Sequence, residues 1–126
     1  MATLTEEQIR LLQGKNLAVV GTVRPDGTPQ LTPTWVDWDG EYVLVNTAEG
    51  RWKPEYLRRD PHVSVCVVDS EDPYHWVSIT GTAELTHEGA ERHIHKLSQR
   101  YRGEDYDAPQ HPERILVKIT PEVVRP

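Results

Sequence analysis

The stretch Asn46-Thr47-Ala48-Glu49-Gly50-Arg51-Trp52-Lys53-Pro54-Glu55-Tyr56-Leu57-Arg58-Arg59-Asp60-Pro61 carries a strand end, a turn and a short helix. Pro54 suits the first turn of a helix, where its missing N–H has no partner to lose. Asp60-Pro61 ends the helix, because the residue before a proline is pushed out of the α region. Arg51 and Lys53 therefore stand at a helix N-terminus, where the macrodipole disfavours cations by about 0.3–1 kcal/mol. A bound anion reverses that sign, since free backbone N–H groups and two side-chain cations then converge on it. The pattern predicts a phosphate-bearing ligand at Arg51 and Lys53.

Composition sharpens the expectation. The chain has 14 Lys+Arg against 20 Asp+Glu, a formal net charge of -6. Four of those cations, Arg51, Lys53, Arg58 and Arg59, nevertheless fall in one short segment. A nucleic-acid-binding protein usually presents a basic surface, so this balance argues against nucleic acid and for a compact anionic ligand. Arg58 and Arg59 are near the helix C-terminus, where cations are favoured, and read as solvated helix charges.

The chain of 126 residues is read as one domain, residues 1–126, large enough to bury a core. No run approaches the roughly 18 apolar residues of a membrane span. The start, Met1-Ala2-Thr3-Leu4-Thr5-Glu6-Glu7, lacks the basic and apolar regions of a signal peptide. A lone cysteine, Cys66, cannot make an intramolecular disulfide and suits a reducing compartment, so a cytoplasmic protein is expected. Cys66 lies in the run Val63-Ser64-Val65-Cys66-Val67-Val68 and is expected to pack rather than react.

The periodicity outlines a mostly β chain with flanking helices. Thr5 caps a first helix with Gln8 completing a capping box, Leu4 and Ile9 form a staple, and Gly14 stops it. Strands are expected over 17–23, 30–38 and 41–46, with Pro33 forcing an edge or a bulge in the second. Asp39-Gly40 is a tight hairpin signal. After the short helix come strands over 63–69 and 75–85, with a bend at Gly81. Ala90, Ile94, Leu97 and Tyr101 recur at helical spacing within 88–101, and a last strand runs from Arg114 to Ile119 or on to Val123. Consecutive antiparallel strands with few helices favour a small barrel, because closure removes edges. Four tryptophans, Trp35, Trp38, Trp52 and Trp76, exceed what one small barrel buries, so a homodimer is expected.

Three pieces of sequence, taken in order, resemble a known family. They are Val20-Gly21-Thr22-Val23 with Asp26-Gly27-Thr28-Pro29-Gln30-Leu31, then the Arg51-x-Lys53 helix, then Val77-x-Ile79-x-Gly81-Thr82-Ala83. The resemblance is to the FMN-binding split-barrel superfamily, the fold of pyridoxamine 5′-phosphate oxidase, and within it to the short deazaflavin reductases that use coenzyme F420. It implies a homodimeric split β-barrel with two cofactor sites at the subunit interface. Arg51 and Lys53 would hold the cofactor phosphate, and Asn46 and Thr47 would lie along the ribityl chain. Thr32, Pro33 and Thr34 would face the ring edge, and Tyr56 and Leu57 would lie in the cofactor-binding helix. Tyr74, His75 and Trp76 would cover the ring from the second subunit. The sequence ends at Ile119-Thr120-Pro121-Glu122-Val123-Val124-Arg125-Pro126 without the extension bearing the Arg and His substrate contacts of the vitamin B6 oxidases, so that activity is not expected.

The implied function is transfer of a hydride from reduced F420 to a small organic acceptor. Alternatives are an FMN-dependent reductase or oxidase of the same fold, or a non-catalytic carrier of a flavin or deazaflavin. Such a site needs a phosphate anchor, polar groups at the ring edge and an aromatic wall; Trp35, Tyr74 and Trp76 are the wall candidates. No residue is singled out as a catalytic acid, although Tyr74 and His75 carry protons. His93 and His95, two apart on a helix, point to different faces, and His62, His87 and His111 are scattered, so no metal site is expected.

Overall fold

The computed structural model of the chain describes residues 2–107 and 112–126. The elements run α1 (Glu6–Gln13), β1 (Ala18–Val23), β2 (Pro29–Thr34), β3 (Asp37–Trp38), β4 (Val43–Ala48), α2 (Trp52–Arg59), β5 (His62–Val68), β6 (Trp76–Thr86), α3 (Ala90–Arg102) and β7 (Arg114–Arg125). His111 lies outside the described residues. The seven strands form one antiparallel sheet in the order β2-β1-β5-β6-β7-β4-β3.

The expected strand over 30–38 is two strands. β2 pairs with β1 at one edge of the sheet, whereas β3 pairs with β4 at the other. Thr34 and Asp37 are three peptide links apart, a reach of at most about 11 Å. The two edges of a seven-stranded sheet are thereby drawn close together, and the sheet rolls into a barrel with a gap between β2 and β3. Pro33 sits on the edge strand opposite Val19, where its missing N–H breaks no ladder. This is the mostly β split-barrel architecture expected from the sequence.

The barrel interior is filled by alternate residues of the strands. Val20, Val43, Val45, Val63, Val65, Val67, Val77, Ile79, Val117 and Ile119 are almost wholly buried, and Leu11 and Leu12 of α1 close one side. Thr5 caps α1 through its side chain to the Gln8 N–H at 3.2 Å, and Gln8 Oε1 accepts from the Thr5 N–H at 2.9 Å. Gly14 ends the helix in an extended conformation rather than the left-handed one.

Gly81 marks the bend. The β6–β7 register shifts between Thr80 and Gly81, with Glu122 the extra residue on β7. A Cβ at Gly81 would lie 1.9 Å from the Thr120 carbonyl oxygen, so only glycine allows this approach. Pro121 occupies the same irregularity, the place where a proline is tolerated inside a sheet.

The opposite face of β1, β2, β5, β6 and the end of β7 is less well covered. Leu17, Val19, Leu31, Val68, Trp76 and Val123 are exposed there, and Cys66 is half-buried beside them rather than fully buried. Among the tryptophans, Trp38 joins the core, Trp35 stacks on Tyr101 at 5.2 Å, and Trp52 and Trp76 are exposed.

Candidate functional site

The gap between the barrel's two edges is where the candidate residues meet. β2 supplies Thr32, Pro33 and Thr34 from one side, and β4 supplies Asn46 and Thr47 from the other. The chain leaves β4 through Gly50, whose φ of 86° is a left-handed conformation disfavoured for other residues, and enters α2 at Arg51. Arg51 is the N-cap and makes no side-chain capping bond; Lys53 follows in the first turn, with Pro54 behind it. Together these segments enclose a cleft of about 490 Å³, with Thr22, Gln30 and Trp52 completing its walls.

The clustered cations divide into two pairs. Arg58 is bound to Glu49 at 2.7 Å and to Glu55 at 3.4 Å, and Arg59 donates to the Pro25 carbonyl at 2.9 Å. Both are surface contacts, as the sequence suggests. Arg51 and Lys53 line the cleft, and among the described residues neither has a carboxylate within 4 Å. Burial lowers the Lys53 ammonium from its ordinary 10.5 to about 8, and repulsion from Arg51 and Arg114 adds to the effect.

A third cation, Arg114 at the start of β7, was not anticipated. It is 4% exposed, and burial is the main influence lowering its pKa, with Arg51 again contributing. Its Nε donates to Asn46 Oδ1 at 2.8 Å, and its Nη1 donates to the Tyr106 hydroxyl at 3.4 Å over the face of the same ring. These partners are neutral, and no carboxylate lies within 4 Å of the guanidinium among the described residues. Among the described residues, three cations thus face one region with no carboxylate within 4 Å, Glu91 attracting Arg114 from farther off, an arrangement whose cost falls when an anion enters.

Asn46 has a further role. Its Nδ2 donates to the Ala90 carbonyl at 2.8 Å and lies 3.3 Å from His93 Nδ1, while its Oδ1 receives Arg114. Both amide protons are committed to the protein, so Asn46 acts mainly as a bracket that aims Arg114. Behind it, His93 Nε2 is 3.2 Å from Asp37 Oδ2, and Asp37 also binds Arg100 at 2.7 Å and Lys96 at 3.0 Å. Burial alone would raise the Asp37 pKa, but hydrogen bonds from His93, Arg100, the Trp38 N–H and Lys96 outweigh it and hold the carboxyl well below its usual range. A continuous polar relay, Asp37–His93–Asn46–Arg114, therefore runs from β3 through α3 and β4 to the cleft.

Thr32 supplies a separate sign of a missing partner. Its Oγ1 is buried and has no hydrogen-bond partner among the described residues, and Thr32 lines the cleft. A buried orphaned hydroxyl costs about 1–3 kcal/mol unless a ligand group meets it. The donors and acceptors of the cleft fit a flavin-type cofactor: cations at the helix start for the phosphate, and small polar side chains on β2 and β4 for the rest.

Other expected site residues sit elsewhere. Tyr56 stacks on Trp52 at 6.1 Å beside the cleft mouth, and Leu57 is buried in the core. Tyr74 is 91% exposed, His75 pairs with Asp69 at 3.0 Å, and Trp76 lies on the outer sheet face. None of these three lines the cleft of a single chain. His93 and His95 do face apart, the first toward Asp37 and the second toward Glu91 and Tyr106. No group of three or more His, Cys, Asp or Glu side chains among the described residues is placed to hold a metal ion. No helix among them is long and apolar enough to cross a membrane.

The sequence gives weak signals for the residues it failed to nominate. Arg114 opens the apolar strand Ile115-Leu116-Val117, and Asp37 stands between the buried Val36 and Trp38. A charged residue bounded by core positions must find partners inside, which is the one available hint.

Comparison with known proteins agrees with this geometry. Among solved structures, an F420 reductase is 28% identical, with 97% of this chain and 98% of that one covered and a TM-score of 0.86. A conserved hypothetical protein from Mycobacterium tuberculosis is 27% identical over 98% of this chain and 84% of its own, with a TM-score of 0.72. HupZ of Group A Streptococcus, at 24% identity, 97% and 92% coverage and a TM-score of 0.73, shares the fold. The family model described as pyridoxamine 5′-phosphate oxidase matches residues 4–126. With nearly its whole length matched, the chain belongs to the pyridoxamine 5′-phosphate oxidase family.

Proposed function

We propose that this protein is an F420-dependent oxidoreductase that reduces a small organic acceptor. The observation that carries the reading is the cleft itself: Arg51 and Lys53 stand unneutralised at the start of α2, beside the orphaned Thr32 hydroxyl. The likeness to an F420 reductase over almost the full length of both chains supports the deazaflavin over other phosphate-bearing ligands. When bound, the reduced deazaflavin supplies the hydride; the protein's part is to hold, orient and desolvate it. Arg51 and Lys53 bind the phosphate with the first-turn N–H groups of α2. Thr32, Pro33 and Thr34 set the ring edge, and Thr47 borders the chain that links ring and phosphate. FMN is the second reading, favoured by the family model and by an anchor that suits its phosphate equally well. A carrier without catalysis would use the same anchor and turn nothing over.

The same proposal includes a homodimer. Leu17, Val19, Leu31, Val68, Trp76 and Val123 form a broad apolar face on the barrel exterior, and a second copy covering it brings Tyr74, His75 and Trp76 toward the cofactor ring. Sedimentation of the protein gives a two-chain mass, and Val19→Lys with Leu31→Lys reduces it to one chain.

Side-by-side titration with F420 and FMN tests the cofactor. Micromolar or tighter F420 binding with weaker FMN binding supports the reading. The reverse order assigns FMN, and binding of neither removes the phosphate anchor.

A further inference from the structure

Next to the phosphate cleft lies a second cleft of about 340 Å³, which shares Pro33, Thr34, Asn46 and Arg51 with the first. Its lining combines two chemistries. Leu17, Ile94 and Leu97 are apolar, and Trp35 is held by its near-parallel stack on Tyr101. Arg51 and Arg114 line the same cleft. We propose that this second cleft binds the acceptor, and that the acceptor is a flat apolar molecule bearing a carboxylate. The carboxylate seats on the open edge of the Arg114 guanidinium, Arg51 being engaged by the cofactor phosphate, while the apolar body lies against Trp35. The proposal rests on the first cleft holding the cofactor.

The donor inventory of Arg114 leads to this chemistry. A guanidinium has five N–H groups in a planar fork. Nε–H is taken by Asn46 and one Nη1–H by Tyr106, and among the described residues the second Nη1–H and both Nη2–H groups have no hydrogen-bond partner. A buried arginine is ordinarily matched by a carboxylate that fills this edge bidentately. Among the described residues no acidic side chain lies within 4 Å of it, Glu91 attracting it only from farther off, although Asp37 at the far end of the relay binds three cationic or cation-forming groups. The relay fixes the fork: Asp37 holds His93, His93 and the Ala90 carbonyl hold Asn46, and Asn46 holds Nε. Asp37, His93 and Asn46 are positioning residues; Arg114 is the binding one.

The apolar walls say which carboxylate it is. A flexible, fully hydrated acidic tail of the cofactor gains nothing from Trp35, Ile94 and Leu97, whereas an aromatic or polyene body buries its surface on them. Adjacency supports the same choice, because the shared residues Pro33 and Thr34 form the boundary between the two clefts.

The test uses 2-naphthoate and its uncharged partner 2-naphthamide as probes, titrated calorimetrically into protein saturated with F420, or with FMN if that is the cofactor that binds. The acid is expected to bind at least about tenfold more tightly than the amide, the scale of a charged hydrogen bond. Arg114→Gln removes that preference while changing cofactor affinity by less than about threefold, and Lys53→Ala does the reverse. Arg114→Lys, which keeps the charge, guards against a folding failure: it retains a native melting transition and part of the preference. Equal binding of acid and amide to the wild-type protein overturns the proposal. So does naphthoate binding that is present in the bare protein and lost once the glutamylated cofactor is added, because the cleft would then hold the cofactor's own tail. If neither cofactor binds but the acid preference and its loss in Arg114→Gln persist in the bare protein, the cofactor reading fails and the carboxylate subsite stands.

Discussion

If Lys53 holds the cofactor phosphate as proposed, ligand binding is tied to proton uptake, and the size of the effect follows from its surroundings. Burial, then Arg51 and Arg114, bring its pKa in the free protein to about 8. A bound phosphate restores the charged form and returns the pKa toward its ordinary 10.5. With a pKa near 8, the charged fraction in the free protein falls from about 0.9 at pH 7 to about 0.1 at pH 9. The dissociation constant of a phosphate-bearing cofactor therefore rises about tenfold over that interval, and binding at pH 9 takes up close to one proton. The phosphate of FMN is already a dianion across this window, its second pKa being about 6, so the ligand adds no titration of its own there. Stability moves the other way. A lysine whose pKa is lower in the folded than in the unfolded chain makes the folded state release its proton first. The ligand-free protein gains stability as pH rises from about 8 to about 10. Calorimetry in two buffers of different ionisation enthalpy reads the proton count directly. Lys53→Met flattens both profiles. A dissociation constant that is level from pH 7 to 9 in the wild-type protein, or a slope that survives in Lys53→Met, refutes the assignment of Lys53 to the phosphate.

Three other substitutions separate the roles of neighbouring groups. Thr32→Val removes the orphaned hydroxyl, so the ligand-free protein gains about 1 kcal/mol in a urea titration while cofactor binding weakens by about 1 kcal/mol. An unchanged cofactor affinity would show that no ligand group meets Oγ1. Gly81→Ala drives a Cβ into the Thr120 carbonyl and costs roughly 3 kcal/mol, lowering the melting temperature without altering the cofactor site. A variant as stable as the parent would mean that β6 and β7 separate there easily. Asp37→Asn leaves His93, Lys96 and Arg100 around a neutral group and costs about 3–5 kcal/mol at neutral pH. Because the Asp37 pKa is lowered on folding, its contribution is present above about pH 4 and fades as pH falls below that. The acid limb of the wild-type stability curve is correspondingly shallower in Asp37→Asn.

The sequence read well where local physics decides the outcome. The Thr5–Gln8 capping box, Pro33 on an edge strand, the irregularity at Gly81 and the α2 start at Arg51 each follow from one or two residues whose backbone needs are narrow. The placement of Arg51 and Lys53 at the helix start, where cations are disfavoured, was legible for the same reason, since a helix terminus has a fixed polarity. What stayed hidden depends on tertiary placement. The run from Gln30 to Trp38 has a continuous strand composition, and only closure of the barrel sends Thr34 and Asp37 to opposite edges. Arg114 meets Asn46 because β7 pairs with β4, and Asn46 meets His93 because α3 crosses that sheet. No spacing in the chain announces those contacts. Cys66, expected inside, falls on the outer side of β5 because the strand's alternation gives the interior to Val65 and Val67.

The Asp37–His93–Asn46–Arg114 relay has a consequence for how this site can change over time. Its members come from four separate elements, so a replacement at any one alters which residues are tolerated at the other three. Exchanging Arg114 for a neutral residue leaves the Asn46 carbonyl oxygen and, behind it, the His93 tautomer without their fixed orientation. On the proposed reading, ligand preference depends on the four positions together rather than on one at a time. Transplanting the pocket to another barrel means carrying over α3 together with the β3 and β4 positions that grip it.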